Sequence, residues 1–288
     1  MEITAREKRV AFRKMLTSPG IHIGPSCNDG LAARLMQWLG FPLVHVSGSS
    51  LHRAFGFADA GLLTMSEIVD RARLIAGAVD LPVVSDAETG YGGAVNTART
   101  VKEFERAGVA GIHIEDQVTP KRAAHEGFEL SVISKEEMVL KIRAAVAARQ
   151  DETMVIIARS EARHSLEERL DRLHACCEAG ADAVWVTAHN REEIKAYAAN
   201  MQKPLIGVPQ RRYLSIYDYG ELGVHVGVIP SITQIAALHG MRQILEELKR
   251  SGTEERYFKE TEGIEETRQW YLEQGTKELK EFEKKITS

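Results

Sequence analysis

The sequence predicts a closed (β/α)8 barrel of the TIM type, and three observations predict it. Short apolar runs that suit buried parallel strands alternate with segments of helical spacing along most of the 288 residues. Four of these alternations share one pattern, a helix-like stretch, a glycine and an apolar run: MQWLGFPLVHVSG (36–48), FERAGVAGIHIED (104–116), CCEAGADAVWVT (176–187) and YGELGVHVGVIP (219–230). Counted together, the apolar runs number eight, which fits a closed barrel better than an open doubly wound sheet.

The elements follow in order. MEITAREKRVAFRKML carries charges without a continuous apolar core, so it reads as a short helix and not a secretory signal. IHIGPS (21–26) is the first strand and VHVSG, closing the 36–48 unit, the second. SEIVDRARLIAGAV leads into LPVVSD (81–86), and TARTVKEFERAG into IHIED. SKEEMVLKIRAAVAA precedes TMVIIAR (153–159), and SLEERLDRLHACCEAG precedes AVWVT. KPLIGVP (203–209) and VHVGVIP complete the set. Gly40, Gly108, Gly180 and Gly223 stand where a helix ends in a left-handed residue.

The barrel and its N-terminal helix are expected to span residues 1–251. Residues 252–288 form a highly charged helical extension with no further strand, and Trp270, Tyr271, Leu272 and Phe282 give it apolar points. A lone charged helix is marginal, so these groups pack on the same barrel or on a neighbouring subunit, the second being favoured.

A net charge of −4 argues against a nucleic-acid partner. No apolar run approaches the roughly 20 residues needed to span a bilayer. Cys27, Cys176 and Cys177 are odd in number and lack metal-ligand spacing, which suits buried free thiols in a reducing cytoplasm.

Chemistry in this fold sits at the C-terminal ends of the strands. There the apolar runs turn polar and supply residues two apart: His45 with Ser47, Asp86 with Glu88, His113 with Glu115, and Arg159 with Glu161. Asp86, Glu88 and Glu115 bring like charges together, and a divalent cation compensates them. All-oxygen ligands suit Mg²⁺ or Mn²⁺ better than zinc. DAETGYGG (86–93) adds a glycine-rich loop without the spacing of a P-loop. A salt bridge from Arg159 to Glu115 or Glu161 is the plainer alternative to a catalytic arginine.

VSGSS (46–50), Asp59, SDAETGYGGAVNTARTVKEFERAGVAGIHIEDQ (85–117), PKRAAH (120–125), SKEEMVLKIRAA (134–145) and IIARSEA (156–162) occur in this order. With these motifs the chain resembles the isocitrate lyase/phosphoenolpyruvate mutase superfamily, especially its short methylisocitrate lyase-like members. The resemblance implies a cytoplasmic Mg²⁺ enzyme whose small carboxylic acid substrate passes through a pyruvate-like enolate. It implies that Ser47, Gly48 and Ser49 form the loop that holds the substrate carboxylate. Asp59, Asp86, Glu88 and Glu115 are the implied metal-site carboxylates, with Asp59 also near substrate. His113 and Arg159 are implied substrate or oxyanion contacts, and Glu115, Lys121 and His125 join them among the catalytic residues. A homotetramer with exchanged C-terminal helices is implied as well.

The departures bear on the reaction. Where lyases of the family read Lys-Lys/Arg-Cys-Gly-His, this chain reads Lys121-Arg122-Ala123-Ala124-His125, so the thiol taken as the proton donor is missing. A positioned donor is typically worth about 10²–10⁴-fold. Asn28 and His45 stand where an aromatic residue and a tyrosine are common, and GVPQRR (207–212) offers Arg211 and Arg212 as rim cations or solvated surface groups. The expected function is Mg²⁺-dependent carbon–carbon cleavage of a 2-oxo or 2-hydroxy di- or tricarboxylic acid, by a lyase or a decarboxylase, under a lid at 118–130. Phosphonate chemistry (a mutase or hydrolase) and non-catalytic binding of a 2-oxo acid are the alternatives.

Overall fold

The computed structural model describes residues 3–123, 127–162, 165–209 and 214–287. His125, Ala124, Arg211 and Arg212 lie outside the described residues. The chain divides into two compact units, one ending at Thr233 and one beginning at Gln234.

In the first unit the eight predicted strands form one closed parallel barrel in chain order. They are β1 (His22–Cys27), β2 (Val44–Val46), β3 (Val83–Asp86), β4 (Gly111–Glu115), β5 (Val155–Arg159), β6 (Ala183–Val186), β7 (Leu205–Gly207) and β8 (Val226–Ile229). β2 is shorter than its apolar run because Ser47 already caps the next helix. The helices are α1 (Ala5–Thr17), α2 (Gly30–Trp38), α3 (Gly48–Ala54), α4 (Met65–Ala78), α5 (Ala94–Arg106), α6 (Lys135–Ala148), α7 (Leu166–Glu178), α8 (Arg191–Asn200) and α9 (Ile216–Glu221). Side chains of Thr4, Thr64, Ser134, Ser165 and Asn190 each accept the amide three residues on, which satisfies an N–H the helix itself leaves free. The four predicted glycines are left-handed, with φ of 81°, 83°, 106° and 96° at Gly40, Gly108, Gly180 and Gly223.

The N-terminal helix has a definite task. α1 buries Phe12 and Leu16 against the barrel-lining residues Leu43, Val84, Val155, Ile157 and Val226. Arg9 and Arg13 donate to the carbonyls of Val109 and Thr153, just ahead of β4 and β5. The N-terminal mouth of the barrel is therefore filled, and open space is left at the other mouth.

The second unit takes most of α10 (Ile232–Ser251), with α11 (Glu255–Glu260), α12 (Ile264–Glu273) and α13 (Thr276–Thr287). Ile235, Leu238, Met241, Leu245 and Leu248 recur at helical spacing along α10, and all are exposed. Among the described residues, no helix is long and apolar enough to cross a membrane.

Candidate active site

At the C-terminal mouth a cavity of about 470 Å³ opens among His45, Asp59, Asp86, His113, Lys121 and Arg159. His45, Asp86, His113 and Arg159 come from four successive strands, β2 to β5, as the strand-end pattern predicts. Glu88 arrives differently. It lies beyond β3 in a left-handed conformation, φ 55°, and its amide donates to Asp86 Oδ1 at 2.8 Å. A turn, and not strand alternation, thus brings Glu88 beside Asp86, and holding a non-glycine residue there costs roughly 1–3 kcal/mol.

The four predicted metal carboxylates converge, and Lys121 stands among them. Its Nζ lies 3.0 Å from Glu88 Oε1, 3.4 Å from Asp86 Oδ2, 3.5 Å from Asp59 Oδ1 and 3.9 Å from Glu115 Oε1. Burial opposes charge on Asp86, but Lys121 and Arg159 outweigh it and hold that carboxyl below its ordinary range. Glu88 goes the other way, pushed well up by burial against the pull of Lys121. Burial likewise pushes Glu115 up to about 7, outweighing Lys121 and Arg159. The cage therefore relieves its own repulsion with one ammonium and with carboxyl protons.

These residues fit a hard divalent cation. Among the described residues, both oxygens of Glu88 and Oε2 of Glu115 are buried without a hydrogen bond, and the ion pairs of Glu88 Oε1 with Lys121 and of Glu115 Oε2 with Arg159 leave Glu88 Oε2 turned to neither. Gly48 forms the wall, since a Cβ there would fall 2.2 Å from Glu88 Oε1 and 2.6 Å from Asp86 Oδ2. His52, Asp59 and Glu88 also come close enough to share an ion, and His52 is a residue the strand-end pattern does not single out. Its nitrogens are both committed, however. Nδ1 donates to the Gly48 carbonyl at 2.8 Å, and Nε2 accepts the amides of Leu62 and Leu63 at 3.1 and 3.2 Å. His52 thus shapes the cage wall, and the all-oxygen set Asp59, Asp86, Glu88 and Glu115 is the better cation site.

Arg159 makes both salt bridges of the plainer reading. Its Nε lies 3.4 Å from Glu115 Oε2, and its guanidinium bonds Glu161 Oε1 at 2.6 Å and covers Trp185 at 5.3 Å. It is still 22% exposed, toward the cavity, so the salt bridges hold a cation that remains accessible. Glu161 is itself fixed by Asp116, whose buried carboxylate accepts the Glu161 amide and the Ser160 hydroxyl, each at 2.7 Å. Asp116 and Trp185 also escape the strand-end pattern, one because it points away from the cavity and the other because it reads as core.

The histidines form a chain. Ser26 Oγ meets His45 Nδ1 at 2.8 Å, and His45 Nε2 meets His113 Nε2 at 3.1 Å. Burial pushes His45 down to about 4 and His113 well below its usual range, so two neutral imidazoles share one N–H. His113 Nδ1 is 3.6 Å from Asp86 Oδ1. The predicted carboxylate loop is only partly free: the Gly48 amide donates to Asp86 Oδ2 at 3.2 Å, and Ser47 Oγ caps α3. Ser47 and Ser49 line the cavity.

A family model described as phosphoenolpyruvate phosphomutase matches residues 12–249. The chain belongs to the phosphoenolpyruvate mutase/isocitrate lyase superfamily. Within this superfamily it is 35% identical to a 2-methylisocitrate lyase of Aeropyrum pernix over 253 residues, covering 85% of this chain and 81% of that protein. It is 44% identical to a 2,3-dimethylmalate lyase of Eubacterium barkeri over 188 residues, 63% of this chain and 64% of that protein. A superfamily structure of phosphonopyruvate hydrolase with oxalate and Mg²⁺ superposes with a TM-score of 0.87 at 29% identity, covering 98% of this chain and 99% of the other.

Proposed function

We propose that the protein is a Mg²⁺-dependent carbon–carbon lyase of small 2-oxo or 2-hydroxy di- or tricarboxylic acids. A 2-oxo acid yields its pyruvate-type product through the enolate, whereas a 2-hydroxy acid yields it directly as the ketone and leaves the electron pair on the other fragment. The observation that carries this reading is the convergence of Asp59, Asp86, Glu88 and Glu115 beside an accessible Arg159. Those four carboxylates would hold the cation, with Mn²⁺ as the alternative hard ion. When bound, such a cation supplies a Lewis acid and a template to a carboxylate and the oxygen on the neighbouring carbon.

With a 2-oxo acid, Arg159 then meets the charge that grows on that oxygen as the C–C bond breaks; with a 2-hydroxy acid it meets the alkoxide from which cleavage starts. Glu161, Glu115 and Trp185 hold its guanidinium in place beforehand, so the donor is preorganised. His113 and His45, both neutral, present a polar wall to the substrate. Ser47 and Ser49 supply hydroxyls on the same side. The segment 118–130 serves as the cover that excludes water. Its near end is tied down by the Ala123 amide on the Asp59 carbonyl, 3.1 Å, and by Thr119 on Thr89, 2.6 Å.

Ala123 favours one member of this reaction class. It is buried, and its methyl has no proton to give. Decarboxylation of oxaloacetate or a similar 2-oxo diacid needs no positioned thiol, because water can protonate the enolate. A homotetramer fits the exposed apolar row on α10, and three free cysteines fit a reducing cytoplasm.

Proton NMR tests the reading. Protein with Mg²⁺ is offered oxaloacetate, 2-methylisocitrate and 2,3-dimethylmalate separately, each with an EDTA control. Metal-dependent pyruvate from oxaloacetate alone, formed faster than in a protein-free tube with the same Mg²⁺, indicates the decarboxylase. Pyruvate with succinate from 2-methylisocitrate, or with propionate from 2,3-dimethylmalate, indicates the lyase. Silence in every tube refutes both and leaves phosphonate chemistry or binding alone.

A further inference from the structure

A cation already stands at the centre of the carboxylate cage. Four carboxylate oxygens lie 3.0 to 3.9 Å from Lys121 Nζ, and the lysine side chain is only 6% exposed. A hard divalent ion seeks that same centre, taking carboxylate oxygens at about 2.0–2.6 Å. Two cations cannot share so small and so buried a space, because their repulsion is barely screened there. Occupancy by one excludes the other.

We propose that the Lys121 ammonium and a divalent cation are alternative occupants of the one cage, so that metal binding expels Lys121 into the cavity. The inference rests on the reading of the cage as the cation site, and it gives Lys121 the role of a positioning residue delivered by the metal.

The surroundings of Lys121 allow this exchange. The backbone on either side is pinned: Pro120 packs on Gly61, where an added Cβ would fall 2.8 Å from Pro120 Cβ and 3.0 Å from Lys121 N. Two residues on, the Ala123 amide bonds the Asp59 carbonyl. The side chain, by contrast, already lines the cavity. A compact charge on a flexible four-carbon stem can therefore swing from the cage to the cavity while the strap stays anchored. Without the metal, Lys121 keeps the buried carboxylates compensated. With the metal, the same ammonium faces the space an anionic substrate enters.

The test uses the full chain and Mn²⁺ alone. A brief pulse of acetic anhydride, with and without Mn²⁺, is read by peptide mass spectrometry, with Lys135, whose side chain is 38% exposed, as the internal reference. Free Mn²⁺ is measured by electron paramagnetic resonance for the wild type and for Lys121→Met, which keeps the apolar stem. The expected result is labelling of Lys121 that rises on the order of tenfold with Mn²⁺. Lys121→Met should bind Mn²⁺ about tenfold tighter or more, since the competing occupant is gone. If Mn²⁺ binds while Lys121 stays shielded, or if Lys121→Met binds no tighter, the exchange is overturned and the cage remains a cation site. If neither protein binds Mn²⁺, both the exchange and the metal reading are overturned.

Discussion

Replacing Gly48 with alanine adds one methyl group to the wall of the carboxylate cage. The new carbon would lie 2.2 Å from Glu88 Oε1, 2.6 Å from Asp86 Oδ2 and 3.0 Å from Asp86 Cγ. Each oxygen must retreat by about 1 Å to reach an ordinary contact, and such overpacking typically costs about 1–3 kcal/mol. Gly48 opens α3, where alanine recovers roughly 0.5–1 kcal/mol of backbone entropy. The net loss of stability is thus about 0–2.5 kcal/mol, small enough to leave the protein folded. The effect on the cage is larger, because misplacement by 1 Å can cost about 10²-fold at a site built on geometry. We expect Gly48→Ala to weaken Mn²⁺ binding by roughly 10–10²-fold, measured by titration calorimetry alongside urea melts. Gly77→Ala is the control: it lies within α4 with nothing inside 4 Å of the added carbon, and it should stabilise by about 0.5–1 kcal/mol without touching Mn²⁺ affinity. Wild-type affinity in Gly48→Ala would refute the assignment of Asp86 and Glu88 to the ion.

The pH dependence has a definite sign. Burial raises Glu115 from 4.5 to about 7, so its contribution to the stability of metal-free protein is complete below about 4.5 and is lost as pH rises through about 7. Glu115→Gln keeps a neutral group there, and its stability relative to wild type should grow by on the order of 2 kcal/mol between about pH 5.5 and 7.5. A gap that stays constant in urea melts, or shrinks, contradicts the burial argument. Arg159→Lys keeps the charge but loses the fork that bonds Glu161 and covers Trp185. It should lower kcat/KM by roughly 10²–10³-fold, mainly through kcat, and an unchanged kcat removes Arg159 from the chemistry.

The barrel was legible because its signals are local. Apolar runs of strand length, the glycines that end the preceding helices and the polar turn at each strand end all lie within a few residues of one another. His45, Asp86, His113 and Arg159 could be named for that reason, each being the polar terminus of an apolar run. The position of Lys121 could not be read this way, since its loop follows β4 and its nearest oxygens come from the end of β3, the turn after it and the segment after α3. Asp116 and His52 were invisible for a different reason: their work is to hold backbone atoms, which leaves no chemical signature in the residue types. Strand alternation does not account for Glu88, because a left-handed turn and not the strand period carries it to the cage.

The most direct test of the central claim is a parallel titration of bound Mn²⁺ and of initial pyruvate formation, with the substrate that responds by NMR, in wild type and Asp86→Asn. Activity in the wild type should rise with a single Mn²⁺ per chain, and Asp86→Asn should lose both binding and turnover. Pyruvate formation that persists in Asp86→Asn, or that shows no dependence on bound Mn²⁺, would contradict that claim.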